Sequence, residues 1–302
     1  MSVELTEEKK KALIERISRL STPKEPIPTE LQPNLKKLQD IKGVFVDVYG
    51  TIMISGTEPM LRRDGSREIN LLTKTFNDFG IQYREEAVSK AIELLHAYID
   101  EEHAIKKAEG VDYPEVEIIP IWIRIMKELE ESKLIDGFDT EIAPDFITDF
   151  VIRYDDPWLM PGLEELMAGL KDKDMITGII SNSSFYTPPT LEALSGRSLE
   201  EMGFPEENCF WSFAEDIAKP SVAFYEIAAD HIRNTLNGDP SEFLFVGNDL
   251  LNDMYPAQQV GFKTAFFAGD KRSLRLREGD ARCENLTPDI TITHLTQILQ
   301  CI

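Results

Sequence analysis

Hydrophobic residues recur along this chain in two alternating patterns. Short runs rich in β-branched and aromatic residues predict buried strands at residues 44–46, 175–180, 243–246 and 263–267, with a weaker run at 289–293. Segments of helical spacing, such as 162–170 and 224–236, lie between them. Strands that alternate with helices in this way predict βαβ units and a parallel sheet, an α/β fold of Rossmann-like type. A ligand site is then expected beyond the carboxyl ends of the strands.

Two stretches depart from this alternation. Residues 60–156 have helical spacing at 69–79, 84–108, 115–132 and 145–153, which predicts an inserted all-helical cap domain over the strand ends. Residues 1–42 predict a helix followed by a proline-rich linker, so the predicted α/β core comprises residues 43–59 and 157–302. The apolar stripe Leu13, Ile14, Ile17 and Leu20 of the first helix is expected to pack on the chain's own body. Packing against a second copy, which would make an oligomer, is the alternative.

Composition narrows the classes of partner. The 302 residues are 42% hydrophobic and carry a formal net charge of −22, and a field of that sign opposes contact with nucleic acid or an acidic membrane. No apolar run approaches the roughly 20 residues of a membrane span, and the charged N-terminus does not resemble a signal peptide, which predicts a cytoplasmic protein. A small anionic substrate is compatible with this charge, because one site can be locally positive.

Four short segments carry the candidate chemistry, and each lies at or just after the end of a predicted strand. They read VFVDVYGTI, IISNSS, IAKPSVAFY and FVGNDLLND, and begin at residues 44, 179, 217 and 245. A carboxylate such as Asp47 can attack phosphorus or an activated carbon and form a covalent intermediate. Attack on a phosphate needs nearby cations and donors, and Lys219 and Ser181 supply these residue types. Asp249 and Asp253 have the hard oxygen ligands that Mg²⁺ prefers.

In order and position these segments resemble the four motifs of the haloacid dehalogenase-like (HAD) superfamily. The resemblance spans about residues 43 to 270 and implies a hydrolase with Asp47 as nucleophile and Ser181 and Lys219 as catalytic partners. It implies substrate contacts at Thr51, Asn182 and Tyr49. The Mg²⁺ ligands that it implies are drawn from Asp47, the backbone carbonyl of Tyr49, Asp249, Asp253 and Asn248.

Two positions leave the reaction open. Phosphatases of this type have a second Asp two residues after the nucleophile, where this chain has Tyr49, and a phenol with a pKa of about 10 is a poor base near neutrality. The motif DVYGT instead resembles the L-2-haloacid dehalogenases, which work without a metal. The segment GNDLLND has the length of the phosphatase motif, with Asn248 in place of its first acid and Asp249 one residue later. Mg²⁺-dependent hydrolysis of a small phosphate ester is favoured over 2-haloacid dehalogenation, and a catalytically lapsed binding protein is a third hypothesis.

Overall fold

The computed structural model describes residues 6–55 and 66–302. The strands within these residues are β1 (Gly43–Val46), β2 (Met53–Ile54), β3 (Gln82–Tyr83), β4 (Ile135–Asp136), β5 (Trp158–Leu159), β6 (Ile176–Ser181), β7 (Cys209–Trp211), β8 (Phe243–Gly247), β9 (Lys263–Phe267) and β10 (Ile290–Ile292). The helices are α1 (Glu7–Leu20), α2 (Ser66–Asp78), α3 (Glu85–Ala108), α4 (Ile118–Glu131), α5 (Ala143–Asp155), α6 (Leu163–Asp172), α7 (Thr187–Ser195), α8 (Leu199–Met202), α9 (Ser212–Glu215), α10 (Val222–Asn234), α11 (Tyr255–Gln259) and α12 (Ile298–Cys301).

The main sheet has the strand order β10-β9-β8-β1-β6-β7, and every neighbouring pair is parallel. The predicted α/β class with a parallel sheet is therefore confirmed. The sequence pattern did not predict the edge strand β7. Because β1 lies inside the sheet between β6 and β8, the residue that follows it faces the carboxyl edge at the middle of the fold.

Strand β1 is buried along its whole length because helices cover both faces of the sheet. Val44 and Val46 pack on one face with Leu166 of α6, whereas Phe45 points to the other face with Phe224 of α10. This alternation follows the two-residue period of a strand. A strand buried on both faces reads as a continuous hydrophobic run, as it does here.

Helices α2 to α5 form a second layer, which we call the cap. Its interior is aromatic: Trp122 packs edge-on against Phe146 and Phe150, with ring centroids 5.5 and 5.7 Å apart. The cap also contains a two-residue antiparallel ladder between β3 and β4, which adds a small sheet to the predicted helices. The predicted domain boundary between residues 59 and 60 lies outside the described residues.

Helix α1 packs against the chain itself, between the cap helix α5 and the core helix α7. Leu13 and Ile17 are fully buried in the cap's hydrophobic cluster. On one side Arg16 pairs with Asp149 of α5 at 2.9 Å, and on the other Lys10 pairs with Glu192 of α7 at 2.9 Å. The apolar stripe is thus used within the chain. Throughout the described part of the chain, no helix has both the length and the apolar character of a membrane span.

Candidate active site

A cavity of 410 Å³ opens at the carboxyl edge of the main sheet, and both the core and the cap contribute to it. Its described lining consists of Asp47, Tyr49, Ser55, Val151, Tyr154, Asp155, Asn182, Tyr186, Lys219, Asn248, Asp249, Asn252, Asp253, Ser273, Arg275 and Arg277. Residues from all four sequence segments therefore meet in one cavity. Volumes of this size are typical of small-molecule sites.

Asp47 directly follows β1 and is only 6% exposed. Its backbone N–H continues the sheet ladder by donating to the carbonyl of Val246 at 2.9 Å. Its Oδ1 accepts from Lys219 Nζ at 2.7 Å and from Ser181 Oγ at 3.2 Å. Donors on Oδ1 hold the carboxylate in one orientation, a property that suits the nucleophile predicted from the sequence.

Lys219 bridges two carboxylates inside the protein. Its ammonium lies 2.7 Å from Asp47 Oδ1 and 2.7 Å from Asp253 Oδ1, and its side chain is 2% exposed. Burial opposes its charge, but Asp253 and Asp47 outweigh burial and raise the pKa of Lys219. Burial raises the pKa of Asp253 to about 7, and the Lys219 ammonium opposes that rise. We refer to Asp47, Lys219 and Asp253 as the buried charge cluster.

Two further residues hold this cluster in position. Asn182 accepts from the backbone N–H of Lys219 at 2.7 Å and donates to its carbonyl at 3.2 Å. Tyr225 is fully buried, and its hydroxyl donates to the carbonyl of Asn252 at 3.2 Å, beside Asp253. The Asn182 side-chain amide therefore hydrogen-bonds to the backbone of Lys219. Asn182 also lines the cavity, where the sequence predicted a substrate contact.

The fourth segment turns sharply after β8. Leu250–Met254 forms a π-helical turn, capped by the Asp249 side chain, which accepts from two backbone N–H groups of the turn. Such turns are rare and are frequent at functional sites. The Arg277 guanidinium binds the Asp249 carboxylate. Its Nε donates to Oδ1 at 2.9 Å and to Oδ2 at 3.1 Å, and its Nη2 donates to Oδ2. Of the two neighbouring candidates for metal binding, Asp249 is thus already engaged by a cation.

Asn248 lies beside Asp47 instead. The Thr51 hydroxyl lies 3.1 Å from Asn248 Oδ1 and 3.3 Å from Asp47 Oδ2, so these two oxygens are neighbours. A single hydroxyl proton serves one of them at a time, which leaves the other a lone pair for a ligand. Thr51 itself is fully buried and does not line the cavity, so its contact is with Asp47 and Asn248.

The backbone carbonyl of Tyr49 accepts no hydrogen bond from the described residues. With Asp47 Oδ2 and Asn248 Oδ1 it offers the type of hard oxygen donor that Mg²⁺ takes, with water and substrate completing the shell. Residues 6–55 and 66–302 contain no group of three or more His, Cys, Asp or Glu side chains suited to a metal ion. A metal site here would rest on one carboxylate and neutral oxygens.

The side chain of Tyr49 lines the cavity, and its hydroxyl lies 2.8 Å from Thr187 Oγ1. Burial, reinforced by Tyr186 and Asp155, raises the pKa of this phenol well above its usual value. Tyr49 therefore stays protonated at any physiological pH and cannot act as the base that an Asp at this position would provide.

Sequence reasoning missed the residues that complete the cavity wall. Arg275 and Arg277 come from the segment after β9, and Asp155 comes from the end of α5 in the cap, where it accepts from Ser55 Oγ at 2.6 Å. None of them belongs to one of the four segments. The basic cluster RSLRLR at residues 272–277, in a chain with 54 acidic residues, was the available signal for the arginines.

Known proteins resemble this chain over most of its length. A family model described as haloacid dehalogenase-like hydrolase matches residues 41–261. Glyceraldehyde 3-phosphate phosphatase of Pyrococcus furiosus is 28% identical over 174 residues, 56% of this chain and 67% of that protein. A 2-haloacid dehalogenase structure from Pseudomonas syringae pv. Tomato is 18% identical with a TM-score of 0.52, covering 86% of this chain and 97% of that one. A HAD phosphatase from Thermococcus onnurineus is 19% identical with a TM-score of 0.49, at 86% and 97% coverage.

The family match covers well over half of the chain and includes all the candidate catalytic positions up to Asp253. The similarity to the solved dehalogenase concerns the fold alone. The chain belongs to the haloacid dehalogenase-like hydrolases.

Proposed function

We propose that this hydrolase cleaves small phosphate monoesters through a phosphorylated Asp47, with Mg²⁺ bound beside the nucleophile. The observation that carries the proposal is the pair of buried contacts made by Lys219, 2.7 Å from Asp47 and 2.7 Å from Asp253. A cation fixed at the nucleophile offsets the repulsion between a carboxylate and a phosphoryl dianion.

The ligands proposed for Mg²⁺ are Asp47 Oδ2, Asn248 Oδ1 and the carbonyl of Tyr49. The shared Thr51 hydroxyl, at 3.3 and 3.1 Å, supports Asp47 and Asn248 as a pair, and Tyr49 has a carbonyl without a described partner. We favour Asn248 over Asp249, because Arg277 already binds the Asp249 carboxylate. Mg²⁺ at this position would supply charge stabilisation for the phosphoryl oxygens.

The protein groups then have separable roles. Asp47 attacks phosphorus and the bond to the ester oxygen breaks, while Lys219 and Ser181 hold the carboxylate and compensate negative charge. Water then attacks the phosphorylated Asp47, and the P–O bond to the carboxylate breaks, which restores Asp47 and releases phosphate. Since burial raises the pKa of the Tyr49 phenol well above its usual value, this phenol supplies no base for the water and is a weaker acid towards an alkoxide than an Asp carboxyl group would be. We therefore propose that esters with good leaving groups react fastest.

The named activity of the relative from Pyrococcus furiosus favours a phosphate ester as substrate. Three-carbon phosphates are accordingly the first natural substrates to test. A cavity of 410 Å³ accommodates molecules of that size.

Dehalogenation of a 2-haloacid is the second candidate, and the observation that favours it is Tyr49. A halide leaves without a proton, so a neutral phenol two residues after the nucleophile costs that reaction nothing in its first step. The same Asp47 would attack carbon and form an ester in place of a phosphoryl group.

The two candidates separate in one experiment. The purified protein would be assayed on p-nitrophenyl phosphate and on 2-chloropropionate, each with Mg²⁺ and with EDTA. We expect Mg²⁺-dependent release of p-nitrophenol, abolished by Asp47→Asn. Chloride release in EDTA without phosphatase activity would establish the dehalogenase instead, and full activity of the Asp47→Asn variant would remove the nucleophile assignment.

A further inference from the structure

Among the described cations of the cavity, all but one pair with a carboxylate. Lys219 is shared by Asp47 and Asp253, and Arg277 holds Asp249. Arg275 also lines the cavity, yet the side-chain hydrogen bonds that it makes to described residues all go to backbone carbonyl groups. Within the described part of the chain, Arg275 is therefore the cavity cation whose charge no carboxylate neutralises.

The backbone of Arg275 is fixed to the catalytic segment. Its N–H donates to the carbonyl of Asn248 at 3.1 Å, and its carbonyl accepts from Leu250 at 3.0 Å. These two bonds enclose Asp249 in a parallel bridge with Arg275. The arginine is thus tied to the site rather than carried on an independent loop, although its residue number lies 27 positions beyond Asn248.

Part of its guanidinium is available for a ligand. Nη1 donates to the carbonyls of Arg272 at 2.8 Å and Leu274 at 3.1 Å, which fixes one edge of the group. Nε and Nη2 have no hydrogen-bond partner among the described residues. A guanidinium edge with parallel N–H donors matches a carboxylate in geometry and charge.

The transferred phosphoryl group has its own cation in Lys219, which lies directly on the nucleophile. A second, unneutralised cation in the same cavity therefore fits a second anionic group. We propose that Arg275 binds a carboxylate of the substrate, so that the preferred substrates are small phosphate monoesters that also carry a carboxylate. This inference rests on the proposed phosphatase function and specifies its substrate class.

A matched pair of esters tests the inference. 3-Phosphoglycerate and glycerol 3-phosphate have the same three-carbon length, and they differ in a carboxylate against a neutral hydroxymethyl group. Turnover by the wild type and by Arg275→Met would be measured for both in Mg²⁺. Affinity for both would be measured by calorimetry on Asp47→Asn and on the double variant Asp47→Asn/Arg275→Met, where binding is read without hydrolysis.

We expect Arg275→Met to lower kcat/KM for 3-phosphoglycerate by about 10- to 100-fold, mainly through KM, because a charge-assisted hydrogen bond is lost. Glycerol 3-phosphate should change much less, and Arg275→Lys should recover part of the loss. Arg282→Met is the control: Arg282 lies in the same segment, pairs with Asp280 and does not line the cavity, so both esters should be unaffected.

An equal fall on both esters would overturn the inference, since it would assign Arg275 to the phosphoryl group or to the shape of the segment. No fall on either ester, or equal binding of the two esters by Asp47→Asn, would overturn it as well. In each of these cases Mg²⁺-dependent hydrolysis of p-nitrophenyl phosphate by the wild type would leave the phosphatase function standing. Loss of that hydrolysis is the separate result that removes the function.

Discussion

The balance of charges in the buried charge cluster predicts how the replacement of Lys219 changes the free energy of unfolding. Asp47, Lys219 and Asp253 are 6%, 5% and 2% exposed, and with both carboxylates ionised they carry one positive and two negative charges. Lys219→Met would leave two neighbouring carboxylates in a poorly solvated interior without their cation. Each contact of 2.7 Å is worth about 6 kcal/mol in Coulomb energy at an effective dielectric constant of about 20.

Most of that energy only repays the desolvation of the charged groups. Removal of one partner from a buried ion pair costs about 3–5 kcal/mol in practice, and we expect a loss of this size for Lys219→Met. The double variant Lys219→Met/Asp253→Asn should recover a substantial part of it, because one carboxylate charge is removed with the ammonium. Asp47→Asn alone should be at least as stable as the wild type, since it makes the cluster neutral, although it should abolish the proposed activity.

Urea unfolding followed by far-UV circular dichroism, in EDTA, measures these differences through the transition midpoint and slope. Lys42→Met is the matched control, because Lys42 contacts Glu242 at the same 2.7 Å but on the surface, where ion pairs contribute little. A midpoint for Lys219→Met equal to that of Lys42→Met would refute the reasoning. So would a double variant less stable than Lys219→Met alone.

Three further variants test other parts of the protein. For each of Tyr49→Asp and Tyr49→Asn, a steady-state assay gives the ratio of the rate on alkyl phosphates to the rate on p-nitrophenyl phosphate. This ratio should be at least about tenfold higher for Tyr49→Asp, because of the two side chains only the Asp can protonate an alkoxide. Equal ratios would contradict the prediction. Gly50→Ala should lower the free energy of unfolding in urea by more than the roughly 1–2 kcal/mol that a left-handed backbone costs a residue with a side chain. At φ +84° the new Cβ would also lie 2.5 Å from Ser273 Cβ. Gly279→Ala, at φ +85° with open space around it, is its control, and equal losses would show that contact is unimportant. Burial raises the pKa of Glu115, so the folded protein favours the protonated carboxyl group more than the unfolded chain does. The stability that Glu115 contributes is therefore complete below its pKa in the unfolded chain and is lost as the pH rises through its pKa in the folded protein. Glu115→Gln should therefore melt near the wild type at pH 4 and above it at neutral pH, and a pH-independent difference in Tm would be the contrary result.

The elements that a sequence pattern predicts well are those whose own residues supply the pattern. Strand β9 occupies residues 263–267 as predicted, and the cap helix α3 ends at Ala108 as predicted, because buried strands and amphipathic helices impose their periods locally. Strand β7 was missed because its three residues become a strand only by pairing with β6, as in the register Ile179↔Cys209. Pairing of that kind is a tertiary contact and leaves no period in so short a segment.

The choice between Asn248 and Asp249 was undecidable from spacing for a similar reason. Both are polar residues after β8, and either could face Asp47 in a turn of unknown shape. In the structure their surroundings differ, because Arg277, 28 positions beyond Asp249 in sequence, binds the Asp249 carboxylate. A partner so distant has no fixed offset, so no motif contains it. Arg275 could not be predicted for the same reason, because backbone hydrogen bonds to Asn248 and Leu250 place it beside the site.

The two departures from the phosphatase pattern have one electrostatic consequence in common. Asp at both position 49 and position 248 would bring the carboxylates near Lys219 to four, with a single buried ammonium among them. Tyr49 and Asn248 are neutral, so Asp47 and Asp253 share that ammonium with an excess of at most one negative charge. A less negative site retains its folded geometry without a divalent cation, but it also attracts that cation less strongly. At the proposed Mg²⁺ site, the neutral side chains of Tyr49 and Asn248 should therefore favour the metal-free protein and lower the affinity for Mg²⁺, and the metal dependence of turnover is the measurement that tests this.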